Sequence, residues 1–151
     1  MPRTILALAA LLALLAASAA FGGKPVREPI FFEDFVAEDV CPFPVLIETT
    51  ANKEYVKIFE DRIMVNGKLF TRLTNLETGE SLDLNISGPA TISQTEVLRG
   101  RGLLILFPED AGGPGLLLTT GRVELIRGED GFIVGMSTSG RTVDVCAALA
   151  G

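Results

Sequence analysis

The chain has 151 residues, 48% of them hydrophobic, with 13 basic and 19 acidic residues, for a formal net charge of −6. That balance argues against nucleic acid and anionic membrane surfaces as partners, because an acidic protein repels phosphate. One Tyr and no Trp leave little for base stacking. There is no histidine, which removes the commonest general base near neutral pH and the commonest zinc ligand, and excludes Ser-His-Asp and Cys-His sites.

The opening MPRTILALAALLALLAASAAFGG puts Arg3 ahead of an apolar run from Ile5 to Ala17 and ends in small residues. Ala17-Ser18-Ala19 and Ser18-Ala19-Ala20 both fit the small-x-small rule, so residues 1–20 are expected to be a signal peptide, cut before Ala20 or Phe21. The apolar run is shorter than the ~20 residues a bilayer span needs, so no stable membrane insertion is expected after cleavage. A secreted, extracellular location is the expectation. About 130 residues remain, enough for one domain with a real core. Residues 21–29 (FGGKPVREP) mix Gly, Pro and charge and are expected to be a flexible lead-in. Residues 30–151 are expected to form a single all-β domain.

The domain reads as short apolar segments cut by turn signals. Residues 31–36 look extended. Residues 43–50 (FPVLIETT) are rich in β-formers, and residues 54–59 (EYVKIF) follow. Segments 62–65 and 68–73 flank Asn66-Gly67, the strongest two-residue hairpin signal in the chain. A second hairpin is predicted around Thr78-Gly79. In its second arm Leu82, Leu84 and Ile86 alternate with Asp83, Asn85 and Ser87, a period of two that gives one buried and one wet face. Residues 90–98 follow as a strand. Gly100 and Gly102 bracket a predicted turn. Next come LLILF at 103–107, a Pro-Glu-Asp-Ala-Gly-Gly-Pro loop, 116–120, 123–126, a turn at 128–131, 132–136, a Ser-Gly turn and 142–149. Gly121 reads as a bulge within one longer strand. Eight to ten short strands with turn-like spacing predict a small antiparallel β-barrel, with a two-sheet β-sandwich as the alternative.

The only two cysteines sit in a repeated triplet, Asp39-Val40-Cys41 and Asp144-Val145-Cys146. In an exported chain they have one intramolecular pairing, Cys41–Cys146, which would lay the first and last structured segments side by side. Closing so long a loop is worth about 4–5 kcal/mol in the chain-entropy treatment. The Cys-x-Phe-Pro-Val stretch at 41–45, TNLETGESLDLNISGP at 74–89, GRGLLILFPEDAGGPGLLLTTGRVEL at 100–125 and the closing DVCAALA resemble a group of secreted, uncharacterised small proteins of actinobacteria. The resemblance implies compartment and an all-β fold, and no catalytic residue.

Chemistry is sparse. Five adjacent acid pairs (33–34, 38–39, 60–61, 109–110, 129–130) offer carboxylates, but strand neighbours point to opposite faces and turn acids are solvated. Glu109 and Asp110 with the glycines after them have hard-cation chemistry without the twelve-residue calcium-loop pattern, so no metal is expected. Gly112-Gly113-Pro114-Gly115 lacks the Gly-Lys-Ser/Thr ending of a phosphate loop. No cofactor motif is present. The informative feature is the hairpin LLILF–LLL: Leu103, Ile105 and Phe107 share one face and Leu104 and Leu106 the other, and both faces are apolar. The outer face is expected to be covered by the segment holding Phe31, Phe32 and Phe35, to meet a protein partner or a second copy, or to flank an apolar ligand site. Leu104, Leu106 and Leu117 are the candidate contact surface. The expectation is thus a non-catalytic β-barrel module binding a partner or an apolar small molecule. The alternative is a barrel-type cyclase or isomerase acting through a hydrophobic cavity, whose signature would be an inward acid or Tyr55 at that cavity.

Overall fold

The computed structural model describes residues 25–151; the expected signal peptide and the first part of the lead-in lie outside them. Strands follow in the order β1 (Val26–Pro29), β2 (Phe35–Ala37), β3 (Val45–Asn52), β4 (Tyr55–Ile58), β5 (Ile63–Asn66), β6 (Leu69–Asn75), β7 (Ser81–Asn85), β8 (Ala90–Ile92), β9 (Glu96–Leu106), β10 (Gly115–Arg127) and β11 (Ile133–Asp144). A short helix α1 (Val145–Leu149) closes the chain. The fold is all-β, as expected from the pattern. The strands form two antiparallel sheets, one ordered β1-β4-β5-β8-β9-β10-β11 and one ordered β2-β3-β6-β7. Neither order returns to its first strand, so strand pairing closes no barrel among the described residues.

Three local expectations are corrected. Val26–Pro29, placed in the lead-in by composition, pairs with β4 from Val26↔Ile58 to Pro29↔Tyr55. An edge strand needs only one partner, and Pro is tolerated there because its missing N–H points away from the ladder. Asn66-Gly67 does not make a hairpin. β5 pairs with β4 and β8 while β6 pairs with β3 and β7, so the chain crosses between sheets at this dipeptide. Gly67 has φ +130°, and a Cβ there would lie 2.3 Å from the Lys53 carbonyl oxygen. The glycine serves a close backbone crossing, which leaves the same sequence trace as a tight turn. Lastly, the chain leaves the strand at Asp144, whose carboxylate accepts from the Ala147 N–H at 3.1 Å and caps α1. The helix-forming run Cys-Ala-Ala-Leu then takes over from the expected strand.

The Thr78-Gly79 hairpin forms as read. Gly79 has φ +79°, and β6 and β7 pair from Phe70↔Asn85 to Thr74↔Ser81. On its wet face Arg72 and Asp83 are cross-strand partners at 2.8 and 3.0 Å. The Arg72 hydrogen bond holds the Asp83 carboxyl below its ordinary value.

Three further glycines are not turns. Gly100, Gly121 and Gly140 lie within β9, β10 and β11 and are direct neighbours in register, Gly121↔Gly100 and Gly121↔Gly140. All three have positive φ, at +75°, +113° and +115°. A Cβ on Gly121 would sit 2.2 Å from the Ser139 oxygen, and one on Gly140 2.0 Å from the Thr120 oxygen. Gly121 inserts no extra residue; the only register shift of the β10–β11 pair falls at Ile126/Arg127. The glycine row is a line along which three long strands bend together. Distances demand the bend. Leu106 is opposite Gly115, and in a flat sheet Leu125, ten residues further along β10, would be about 33 Å away. Yet Leu104, Leu106, Val123, Leu125 and Ile133 form one buried cluster. Asp110 fastens the curl: its carboxylate oxygens accept from the N–H groups of Phe107 (2.8 Å) and Ile133 (2.7 Å), and the Ala111 N–H donates to the Ile133 carbonyl. Both of its oxygens thus bond backbone N–H groups. Among the described residues no cluster of three or more His, Cys, Asp or Glu side chains could hold a metal ion.

Cys41 and Cys146 are disulfide-bonded, with their Cα atoms 5.5 Å apart across a sequence separation of 105. The two Asp-Val-Cys triplets therefore meet. Val40 and Val145 are both buried in the first core cluster, together with Val45, Ile47, Leu73, Leu116 and Leu149. No helix among the described residues is long and apolar enough to cross a membrane.

Candidate functional site

The apolar hairpin has both faces covered. Leu103, Ile105 and Leu118 pack with the first cluster, against the four-stranded sheet. Leu104 (5% exposed) and Leu106 (0%) belong to the second cluster, covered by the far half of the same bent strands. Two of the three residues expected as a contact surface are thus interior. The reason is the glycine bend, which turns an outward face onto itself. Leu117, half-buried, lines an open cleft of about 550 Å³ beside the disulfide, with Pro42, Pro114 and Asp144. The Phe segment borders the Leu103 and Ile105 face of this hairpin without burying its own rings. Phe31 is 84% exposed, and Phe32 and Phe35 are also solvent-exposed.

Phe32 and Phe35 share a cavity with the hairpin's Leu103 and Ile105. They line the mouth of a cavity of about 210 Å³ between the two sheets, with Glu33 at the rim. One wall is the inward face of the four-stranded sheet: Ile47 and Thr49 from β3, Leu69 and Thr71 from β6, and Ile86 just after β7. The opposite wall is Leu103 and Ile105 from β9. Alternation explains each inward residue. Leu69, Thr71, Leu73 and Asn75 are the buried members of β6, while Phe70 and Arg72 point out. The strap from Ile30 to Phe35 is tied at both ends. The Asn52 amide donates to the Ile30 carbonyl at 2.7 Å, and the Thr49 N–H donates to Asp34 at 2.8 Å.

Thr71 is the anomaly of this wall. It is 3% exposed, and its hydroxyl has no hydrogen-bond partner. The buried side chains of Asn75, Asp110 and Thr119 are hydrogen-bonded. Asn75 donates to the Leu149 carbonyl at 3.1 Å and accepts from Glu77 N–H. The Thr119 hydroxyl donates to the Gly102 carbonyl. Thr49 lies directly opposite Thr71 in register, yet the two hydroxyls do not bond one another. A buried hydroxyl left unpaired costs roughly 1–3 kcal/mol and calls for a reason.

A second concavity, about 380 Å³ and more open, is lined by Arg27, Pro29, Ile30, Phe31, Glu54 and Tyr55 among others. Glu54 is buried, and desolvation pushes its carboxyl above the ordinary 4.5. The Arg27 guanidinium stacks on the Tyr55 ring at 3.7 Å. Sequence singled out Tyr55 but passed over Glu54, because a lone acid next to Lys53 reads as surface. The Asn66-Gly67 crossing runs close against its backbone: a Gly67 Cβ would be 2.6 Å from the Glu54 Cα.

Comparison of the chain with protein-family models, with curated proteins and with solved structures finds no match.

Proposed function

We propose that this chain is an exported, non-catalytic β-module that takes a small apolar molecule into the cavity between its two sheets. The arrangement is read as a sandwich with one strongly curled sheet rather than a closed barrel. The observation that carries the function is a largely apolar-walled cavity bordered by exposed Phe32 and Phe35. Packed interiors have few voids larger than a water molecule, and an apolar cavity of roughly 150 Å³ accepts benzene. The disulfide supports export, since such bonds persist outside the reducing cytosol. An N-terminal signal peptide and kinship with the secreted actinobacterial group are part of the same proposal. A small ligand is favoured over a protein partner because Leu104 and Leu106 are interior.

The test is thermal unfolding with cyclohexanone at ten times its Kd. Mass action then stabilises the fold by about 1.4 kcal/mol, or roughly 4–8 °C for a domain of this size. Methyl NMR signals of Ile47, Ile86 and Ile105 should move in the same titration. No shift in either readout up to the solubility limit defeats the proposal.

Glu54 supports a second reading, the cyclase or isomerase. It is a buried acid with a raised pKa beside Tyr55, the setting of a proton-transfer group. Under that reading Glu54→Gln abolishes turnover and leaves cyclohexanone binding between the sheets intact.

A further inference from the structure

The charge of this acidic chain is unevenly placed. Arg99, Arg122 and Ser139 are successive partners in register across β9, β10 and β11, and so are Arg101, Thr120 and Arg141. Residues directly opposite on antiparallel strands share a face, as do residues two apart along a strand. Register is unbroken through these positions. Four arginines therefore project from one face of the bent sheet, with Cα atoms within about 12 Å of one another. The four-stranded sheet covers Leu103 and Ile105 on that face and leaves all four arginines solvent-exposed. The crowding is unfavourable, because Arg99 and Arg122 are like charges directly opposed. Counter-charge is scarce. Glu124 is the only carboxylate that β9, β10 and β11 place on this face, and it pairs with Arg122. The segment alongside, Ser87-Gly88-Pro89, is uncharged; the Gly88 N–H donates to the Arg101 carbonyl at 2.7 Å and the Arg99 N–H to the Pro89 carbonyl at 2.9 Å. Arg99, Arg101 and Arg141 make no ion pair among the described residues.

We infer that this face binds a compact anion of two or more linked phosphate groups. Each guanidinium is a planar fork of donors, and one fork already matches the two oxygens of a carboxylate. Three unpaired forks call for more acceptor oxygens and more charge than one carboxylate carries, which linked phosphates supply. Net charge is an average over the surface, and here it reverses locally. The acidic remainder still repels a long polyanion that overruns the patch, so the ligand is short. The site is independent of the apolar cavity, which none of the four arginines lines.

The experiment is titration calorimetry at low ionic strength with inorganic pyrophosphate, orthophosphate and citrate. It uses the wild type, Arg101→Gln, Arg141→Gln, Arg101→Lys and Arg62→Gln. Arg62 pairs with Asp61 outside the patch, so its variant removes the same charge elsewhere. All four substitutions are at exposed positions, so melting temperatures without ligand should match the wild type. Pyrophosphate should bind the wild type more tightly than the other two anions. Arg101→Gln and Arg141→Gln should each raise its Kd about tenfold, the low end for hydrogen bonds to a charged group, while Arg62→Gln changes it less than about twofold. Arg101→Lys keeps the charge without the fork and should fall between wild type and Arg101→Gln. No binding of pyrophosphate overturns the site. An equal loss in Arg62→Gln does so too, because net charge alone would then draw the anion. Citrate bound as tightly as pyrophosphate overturns the choice of phosphate, and orthophosphate bound as tightly overturns the linked groups.

Discussion

Replacing Gly121 by Ala tests the bend that makes the second core. The new Cβ would meet the Ser139 carbonyl oxygen at 2.2 Å and the Gly140 Cα at 3.2 Å. Both are backbone, so no side chain can rotate away. The residue also holds φ +113°, a region L-residues rarely enter, at a cost of about 1–3 kcal/mol. Relieving the contact means spreading β10 from β11 at that point, which forfeits one or two ladder hydrogen bonds at roughly 0.5–1.5 kcal/mol each. The sum is about 1.5–6 kcal/mol. Gly79→Ala is the internal control: φ is again positive, +79°, but a Cβ there meets nothing within 4 Å, so about 1 kcal/mol is expected. Urea denaturation of both variants measures the difference. Straightening of the bend should also deprotect the Val123 and Leu125 amides in hydrogen exchange. If Gly121→Ala proves as mild as Gly79→Ala, the shared glycine row is not what bends the sheet.

Other perturbations probe the remaining pieces. Reduction of Cys41–Cys146, or the double change to Ala, frees a loop spanning 105 residues; the chain-entropy relation gives about 4.8 kcal/mol, or roughly 15–25 °C in melting temperature, and a loss below about 1 kcal/mol would refute a structural role for the bond. Asp110→Ala orphans the N–H groups of Phe107 and Ile133, so a cost of about 2–5 kcal/mol is expected, with early exchange of the Ile133 amide as its local signature. Glu54 has a folded-state pKa above its ordinary 4.5 through burial. The native state therefore binds its proton more tightly than the unfolded chain does, and stability falls as pH rises from the unfolded value through the folded one. Glu54→Gln should raise the melting temperature at pH 7 and lose that advantage below about pH 4; an equal gain at both pH values would mean the carboxyl is not the cause.

What the sequence revealed depended on whether a signal had one structural meaning. Alternation of Leu82, Leu84 and Ile86 with Asp83 and Asn85 has one, and the β6–β7 hairpin followed it. Two cysteines admit one intramolecular pair, and that pair forms. Glycine has several meanings. At Thr78-Gly79 it made a turn, at Asn66-Gly67 a crossing between sheets, and at Gly100, Gly121 and Gly140 a bend inside strands, where the sequence reads turns at 100 and 140 and a bulge at 121. Which of these holds depends on what lies opposite, and that is a property of register. The same bend explains why Leu104 and Leu106 looked outward on paper and are interior. The cavity was legible only as a class, an apolar site in a β-fold. Its location was not, because which inward residues of β3, β6 and β9 meet across the two sheets depends on how those sheets stack.

Ligand binding by this fold stands or falls on what occupies the space between the sheets. A crystal of the protein soaked in 4-bromophenol, with anomalous data at the bromine edge, locates the guest without reference to any activity. The predicted result is a bromine peak inside the cavity bordered by Phe32 and Phe35, among Ile47, Ile86, Leu103 and Ile105. A peak confined to the cleft beside Tyr55 or the one beside the disulfide, or no peak with the two sheets collapsed onto each other, would contradict it.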